Sequence, residues 1–467
     1  MITTTKKLTA IITALIMITA VISGCRSNSD ELSYLSYYEY DSDGQGGGGS
    51  NSSVNSAGGK TSSENKGGNT SNTSDKNNST ASAKPSTLKG STVKFATWED
   101  ISKTEYGPVI EAFTKKTGIR IKIVSVPQHE YITKLTGLIA AGNSPDVIKD
   151  NGEFPRTVAI AQSIDTSGIN PADTRWDQTV TKMSTVKGKV YLIASTQTNF
   201  QCRFLCYYNK RLFANNGINS PADYVNQKNW TWETFKKAAS EIKTAAGLTY
   251  GVSIDTGYFN QAYGAGFVKF KNGKFYNGIN ENAMTDCWRY LLEGSKDGTF
   301  YLPGKSQPFI DGKAGMIISD TYGLKNAGYF STMKVSDVGV TYLPKKTASD
   351  SAYPSTGFVS AFGIAKGAKN AAGAGEFLKF YLDMNNYDTK LIYRSTENKQ
   401  FADTIAKTPI TFDTLYVTTA LQEISGDNFS KYMLTSDVAQ IKTNLNKVNN
   451  TVNSAVSKAN DMLEAAK

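Results

Sequence analysis

Apolar and polar positions in the first part of the folded chain follow two periods, one typical of strands and one typical of helices. Residues 93–96, 119–123 and 145–148 alternate or run apolar, which predicts three short strands. Residues 108–118 and 131–142 space their apolar side chains three or four positions apart and end at Gly, which predicts two helices. This β-α-β-α-β order indicates a parallel sheet with helices on its faces, and ligands of such sheets lie outside the carboxyl ends of the strands.

Two later segments carry helical patterns. Thr231 can cap a helix whose apolar face begins with Trp232 and Phe235, and Glu233 is favourable in its first turn. Core packing is therefore the favoured role of Trp232. Residues 438–456 repeat apolar side chains at spacings of three and four, which predicts one long amphipathic helix.

The first residues of the chain have the pattern of a secretory signal. Lys6 and Lys7 precede an apolar run that is too short and too poorly flanked for a lasting membrane span. The run ends at residues 21–25, Val-Ile-Ser-Gly-Cys, which resemble the lipobox of bacterial lipoproteins. The resemblance implies that residues 1–24 are removed, that Cys25 carries lipid, and that the protein works on the extracellular face of a Gram-positive cell membrane. The alternative is a free Cys25 at the end of a plain signal peptide.

Residues 25–90 have the composition of a tether. Gly, Ser, Asn, Thr and Lys dominate residues 41–87 of this stretch, with runs such as Gly-Gly-Gly-Gly-Ser at 46–50. Such a stretch cannot bury enough apolar area to offset the entropy of ordering, so it is predicted to be disordered. The remainder, about 91–467, is long enough for two domains.

Charge and rare residues narrow the function classes. The net charge is +10, but the lysines are scattered over predicted helix surfaces, which argues against a nucleic-acid site. Besides Cys25, the chain has three cysteines, at positions 202, 206 and 287; an odd number without a CxxC argues against a disulfide framework or a zinc site. The single His129 excludes most hydrolases with a histidine base and any multi-histidine metal site. We expect neither cofactor nor metal.

An ordered series of short segments then carries a family resemblance. The segments are 108–122, 140–148, 187–191, 208–210, 230–233, 311–318, 357–367 and 371–382. Their order and spacing resemble the extracellular solute-binding proteins of ABC importers, in the sugar-binding group that includes maltose-binding protein. One departure is Ala194, where the family usually has Pro.

The resemblance implies an α/β fold of two lobes joined by a hinge. We expect lobe 1 at 91–200 plus 340–385 and lobe 2 at 201–339 plus 386–467, with the ligand enclosed between them. The implied function is capture of a sugar or oligosaccharide and its delivery to the permease subunits of an ABC transporter. The protein is then expected to be a monomer, to bind no nucleic acid and to catalyse no reaction.

A sugar site needs flat aromatic faces for the C–H side of the ring, and carboxylates or amides for the hydroxyls. Such residues follow the predicted strands of the first lobe. The candidates there are Trp98, Glu99, Asp100, Asp150, Asn151 and Glu153.

The second lobe supplies candidates of the same chemistry. Tyr322 follows an apolar strand, at a place where many relatives have an aromatic residue that stacks on sugar. Phe358 lies on a late strand. For the aromatic cluster around residue 260, packing beneath a loop is the competing interpretation. The second-lobe set is Tyr258, Phe259, Gln261, Tyr263, Asp320 and Tyr322, and Phe358, within the 340–385 segment of lobe 1, completes the candidates.

Two alternatives to transport stay open. A cell-surface glycoside hydrolase needs no histidine and could use two carboxylates such as Glu99 and Asp150. A surface adhesion or sensor protein could keep the fold without a transporter. Because the fold is shared among binders of different solutes, the sequence does not identify the ligand.

Overall fold

The computed structural model describes residues 87–101, 104–150, 153–410, 433 and 437–465. The predicted signal peptide, Cys25, nearly all of the tether and Asn151 lie outside these residues. Within the described part of the chain, no helix has the length and apolar character needed to cross a membrane.

One mixed sheet is built from the first part of the chain and one late strand. In spatial order it runs β2-β1-β3-β16-β4, and β7 also pairs with β16. Strands β1, β2 and β3 are parallel, as predicted, and β16 is antiparallel to β3. The strands are β1 (Thr92–Thr97), β2 (Arg120–Ser125), β3 (Val147–Lys149), β4 (Ala161–Gln162), β7 (Ile193–Ala194) and β16 (Ala361–Ala365).

A second mixed sheet follows in the chain. Its spatial order is β12-β9-β13-β8-β14, and β15 also pairs with β8. Its strands are β8 (Gln201–Asn209), β9 (Tyr250–Ile254), β12 (Phe300–Tyr301), β13 (Ala314–Asp320), β14 (Val338–Thr341) and β15 (Gly357–Val359). Two small antiparallel pairs are β5 (Thr185–Val186) with β6 (Lys189–Val190), and β10 (Val268–Lys271) with β11 (Lys274–Asn277).

Helices cover the sheets. They are α1 (Tyr106–Thr117), α2 (Tyr131–Ala140), α3 (Arg156–Ile160), α4 (Gln178–Met183), α5 (Lys210–Asn215), α6 (Pro221–Asn226), α7 (Trp232–Ala245), α8 (Thr256–Ala262), α9 (Asn282–Lys296), α10 (Gln307–Ile310), α11 (Ala371–Tyr381), α12 (Thr389–Ile392), α13 (Thr396–Ala406) and α14 (Ile441–Ala465).

The local predictions for the start of the body are confirmed. The first five regular elements are β1, α1, β2, α2 and β3. Helix α1 ends at Gly118, whose φ of 73° is left-handed, so a residue without Cβ fits there at little cost. Helix α7 begins after Thr231, whose side chain accepts a hydrogen bond from the Thr234 N–H, as a cap should.

The chain crosses between the two sheets at neighbouring places. One crossing leads from β7 to β8 and the other from β15 to β16. Phe358 is paired with Cys202 across β15 and β8, and the Ser360 N–H donates to the Phe200 carbonyl at 2.9 Å. The two connections therefore lie side by side, which is the arrangement expected of a hinge. By strand pairing, residues 338–341 (β14) and 357–359 (β15) belong to the second sheet, and residues 361–365 (β16) belong to the first. The boundaries of the two lobes stay a prediction.

Helix α14 is fastened to the β10–β11 hairpin by asparagine side chains. The Asn460 amide donates to the Phe275 carbonyl at 3.0 Å and accepts from the Phe275 N–H at 2.9 Å. The Asn277 amide donates to Asn449 and Asn453. Hydrogen bonds of this kind satisfy strand-edge groups that would otherwise need water.

Candidate functional site

The segments that follow β1 and β13 are in contact. Glu105, which follows β1 and precedes α1, forms an ion pair with Lys325, which follows β13; the Lys325 Nζ to Glu105 Oε1 distance is 3.0 Å. Both side chains are less than one-fifth exposed. Since these residues belong to connections of different sheets, the pair places the loops after β1 and β13 in contact.

Lys149 organises the residues after β1. Its Nζ lies 2.6 Å from Glu99 Oε1 and 4.6 Å from the centre of the Trp98 ring. The Trp98 and Tyr131 rings also pack edge to face, with centroids 5.1 Å apart and planes nearly perpendicular. Of the predicted set, Trp98 and Glu99 are thus brought together, and Asp100 beside them is exposed. The sequence reasoning missed Lys149, although a charged residue at the end of a fully buried strand was a signal.

The Tyr131 hydroxyl holds the backbone beside Lys149 in place. Its hydroxyl donates to the Ala96 carbonyl at 2.8 Å and accepts from the Lys149 N–H at 2.9 Å. The pairing of β1 with β3 ends at Ala96 and Ile148. Just beyond this last pair, the hydroxyl links the Ala96 carbonyl of β1 to the Lys149 N–H of β3. Burial raises the pKa of Tyr131, so the hydroxyl stays protonated and can donate.

The carboxylates after β3 are bound within their own lobe. Asp150 is buried and accepts a hydrogen bond from the Thr157 hydroxyl, while its N–H donates to the Ala361 carbonyl at 2.7 Å. Glu153 is paired with Arg156 at 2.8 Å. These bonds fix the direction of both side chains. Asn151, between them, lies outside the described residues.

On the second sheet, Asp320 and Tyr322 form a compact aromatic and acidic group. Asp320 Oδ1 accepts from the Tyr322 N–H at 2.7 Å, and Oδ2 accepts from the Tyr329 hydroxyl at 3.2 Å. The half-buried Tyr322 ring meets Tyr329 edge to face at 5.0 Å, and Lys325 Nζ lies 5.7 Å from its centre.

Burial, followed by the Asp320 charge and hydrogen bond, raises the pKa of Cys202, so this thiol stays neutral.

Residues of α8 divide between core and surface. Phe259 is fully buried and packs against Trp232, Tyr263 and Tyr290, with centroids 4.8, 5.6 and 5.6 Å away. Core packing, the competing interpretation, accounts for this residue. Tyr263 and Gln261 are half-buried, and Tyr258 belongs to the same helix.

Phe358 lies beside the hinge. It is half-buried and meets Phe204 edge to face at 5.1 Å. Helix α8 packs against β15, the strand that carries Phe358. The helix and the strand that carry these candidates are therefore neighbours.

A cavity of about 590 Å³ lies between the β7–β8 connection and α13, and one of its lining residues, Tyr387, meets Tyr106 edge to face at 5.9 Å. It contains none of the predicted site residues. Its charged side chains include Lys399 and Asp403, which pair with each other on exposed helix positions. The lining residues are Thr196, Gln197, Met384, Asn385, Tyr387, Thr389, Tyr393, Lys399, Asp403, Ala406 and Lys407. We assign the candidate site to the apposed strand ends, because ligands of such sheets lie there.

The pairing of Glu105 predicts a pH dependence of stability. Burial raises the pKa of Glu105, but the charge and hydrogen bond of Lys325, the Glu105 backbone N–H and the charge of Lys149 outweigh it, so the pKa lies below the ordinary 4.5. A lowered pKa contributes stability above the ordinary value, and that contribution is lost as the pH falls through the folded-state pKa. We expect wild type to melt higher than Glu105→Gln at pH 7 and the difference to vanish under acid conditions. Melting curves of both proteins from neutral to acid pH check this, and a difference independent of pH would contradict it.

Comparison with known proteins identifies the family. A model described as bacterial extracellular solute-binding protein matches residues 109–395, more than half of the chain. The chain belongs to this family. The sequence prediction of the family is confirmed, and the protein is an extracellular solute-binding protein. A curated relative, the galactooligosaccharide-binding protein of Bacillus subtilis (strain 168), is 25% identical over 351 residues, which cover 70% of this chain and 77% of the relative.

Solved structures of sugar-binding proteins that resemble this chain confirm the predicted two-lobed fold. The sugar-binding protein MalE from Xanthomonas citri superposes with a TM-score of 0.58 at 14% identity, covering 80% of this chain and 99% of the other. The cyclic alpha-maltosyl-1,6-maltose binding protein from Arthrobacter globiformis gives 0.57 at 16% identity, with the same two coverages. At these identities the likeness establishes the fold.

Proposed function

We propose that this protein captures a carbohydrate between its two lobes and presents it to the permease subunits of an ABC importer. The observation that carries the proposal is the Glu105–Lys325 ion pair, which joins the loop after β1 to the loop after β13. The first loop carries Trp98 and Glu99, and Asp320 and Tyr322 stand at the start of the second. Rings offer faces to the C–H side of a sugar, and carboxylates accept from its hydroxyls.

The relatives support a carbohydrate as the ligand. The Bacillus subtilis relative is named for galactooligosaccharides, and the two structural neighbours are named for sugars. These names belong to those proteins. For this chain they select the compounds to be tried first.

We favour binding of the carbohydrate over its hydrolysis. A glycosidase needs one carboxyl that can give up a proton and a second that attacks or activates water. The two carboxylates considered for that role, Glu99 and Asp150, are engaged by Lys149 and Thr157. Release of reducing ends from galactooligosaccharides by the purified wild type, and its loss in Glu99→Gln, would favour the enzyme instead.

A thermal-shift screen tests the proposal. The full-length chain is melted with maltose, with galactooligosaccharides and, as a control of another class, with amino acids. A ligand present at a hundred times its Kd stabilises the folded state by about 2.7 kcal/mol, so a true ligand raises the Tm measurably. Stabilisation by amino acids and by none of the saccharides would contradict the proposal.

We also propose the anchoring route. In this account residues 1–24 are a signal peptide, Cys25 carries palmitate, and residues 25–90 tether the body to the extracellular face of a Gram-positive membrane. We expect Cys25→Ser to abolish labelling with palmitate and to move the protein from the membrane fraction to the medium. Cys206→Ser is the control, since Cys206 is a buried residue of β8. Unchanged membrane retention of Cys25→Ser would contradict lipid anchoring.

A further inference from the structure

Asn199 occupies a defined place at the hinge. It lies in the short turn Thr198–Phe200 that leads into β8, next to the paired connections between the sheets. The ring of the following residue, Phe200, lies 6.4 Å from Tyr106, and Tyr106 adjoins Glu105, which reaches across to Lys325. Asn199 therefore belongs to the segment on which the two strand ends converge.

The amide of Asn199 is buried without a partner. The residue is only 8% exposed, and neither Oδ1 nor Nδ2 has a hydrogen-bond partner. The flanking amides differ: Gln197 accepts from the Met384 N–H at 2.6 Å, and Gln201 donates to the Ser195 carbonyl at 3.2 Å. A buried polar group left unsatisfied costs about 1–3 kcal/mol. Such a group in a native fold calls for a reason beyond folding.

A second unpartnered group belongs to the candidate site itself. The indole Nε1 of Trp98 is buried and has no hydrogen-bond partner. The ring of Trp98 is already contacted by Lys149 and Tyr131, so its free capacity is the N–H donor. Two side chains near the strand ends thus hold hydrogen-bonding capacity that the protein does not use.

We infer that Asn199 is a ligand contact at the base of the cleft, where its amide and the Trp98 indole N–H bind hydroxyls of the carbohydrate. The inference rests on the proposed function and deepens it. An amide offers an acceptor at Oδ1 and two donors at Nδ2, so it can accept from one hydroxyl and donate to its neighbour. Adjacent hydroxyls on a sugar ring present this combination. The buried amide lacks hydrogen bonds in the free protein, and a ligand with matching hydroxyls supplies them on binding. The site therefore favours such a ligand over one that leaves the amide unsatisfied.

The experiment compares Asn199→Leu with Gln197→Leu in the full-length chain. Affinities for the saccharide that shifts wild type most, maltose or a galactooligosaccharide, are measured by calorimetry, and Tm values are measured without ligand. We expect Asn199→Leu to lose tenfold or more in affinity, because about two hydrogen bonds to ligand are removed. Its Tm without ligand should be unchanged or higher, because an unsatisfied amide is replaced by an apolar group. Gln197→Leu should show the opposite pattern, a lower Tm and a smaller change in affinity.

The outcomes separate the two levels of the proposal. Wild-type affinity in Asn199→Leu overturns the inference and leaves the proposed function standing. A fall in Tm of Asn199→Leu comparable with that of Gln197→Leu also overturns it, because the amide then serves the fold. If wild type binds neither saccharide, the proposed function fails, and the carbohydrate contact assigned to Asn199 fails with it.

Discussion

Tyr131→Phe is expected to lower the free energy of unfolding by about 2–4 kcal/mol. The substitution keeps the buried ring and removes only the hydroxyl, which bonds the Ala96 carbonyl and the Lys149 N–H. Both backbone groups lie in the interior and lose their partner at once, so each contributes an unsatisfied-group penalty. Denaturant unfolding of wild type and variant measures the difference.

Tyr224→Phe provides the matched control. The Tyr224 ring is also buried, but its hydroxyl accepts from the Nζ of Lys237, a side chain 58% exposed. We expect a loss of less than about 1 kcal/mol, because water can replace that bond. Equal losses in the two variants would contradict the bridging role of Tyr131.

Tyr322→Ala is expected to reduce carbohydrate affinity by roughly ten- to a hundredfold, since one aromatic face is worth about 1–3 kcal/mol. The ring is half-buried at the end of β13 and stands beside Tyr329 and Lys325. Tyr322→Trp should keep the affinity, because the face is retained. Without ligand the Tm should change little, since the ring is only partly enclosed.

Tyr276→Ala controls for loss of a tyrosine elsewhere. Tyr276 lies in the β10–β11 hairpin and is 36% exposed. We expect its affinity to equal that of wild type. Wild-type affinity in Tyr322→Ala would remove Tyr322 from the site, and a large fall in Tm without ligand would mark the ring as core.

Local patterns were sufficient for the elements that frame the site. The alternation at 93–96 and the Gly at 118 depend on neighbours in sequence, and β1 and α1 are where these patterns place them. The C-terminal helix is longer than its predicted 438–456, because the buried face continues through Ala459 and Leu463. The apolar repeat was followed only as far as residue 456, so the predicted helix was too short.

The contacts that build the site were beyond local patterns. Lys149 meets Glu99 across 50 residues, and Lys325 meets Glu105 across 220 residues. Such pairs depend on how the sheets are placed, which spacing along the chain does not record. Phe259 shows the related difficulty with aromatics, because the same pattern of rings serves a core and a sugar site. Asn199 gave no signal, since an unsatisfied amide is visible only when its surroundings are known.

We propose that the loops after β1 and β13 together form a carbohydrate site. The decisive measurement is calorimetric titration of the full-length wild type, Tyr322→Ala and Tyr276→Ala with maltose and with galactooligosaccharides. We expect saturable binding of one saccharide per chain by wild type and Tyr276→Ala, weakened by roughly ten- to a hundredfold in Tyr322→Ala. Saccharide binding of equal strength in all three proteins, or none by wild type, would contradict it.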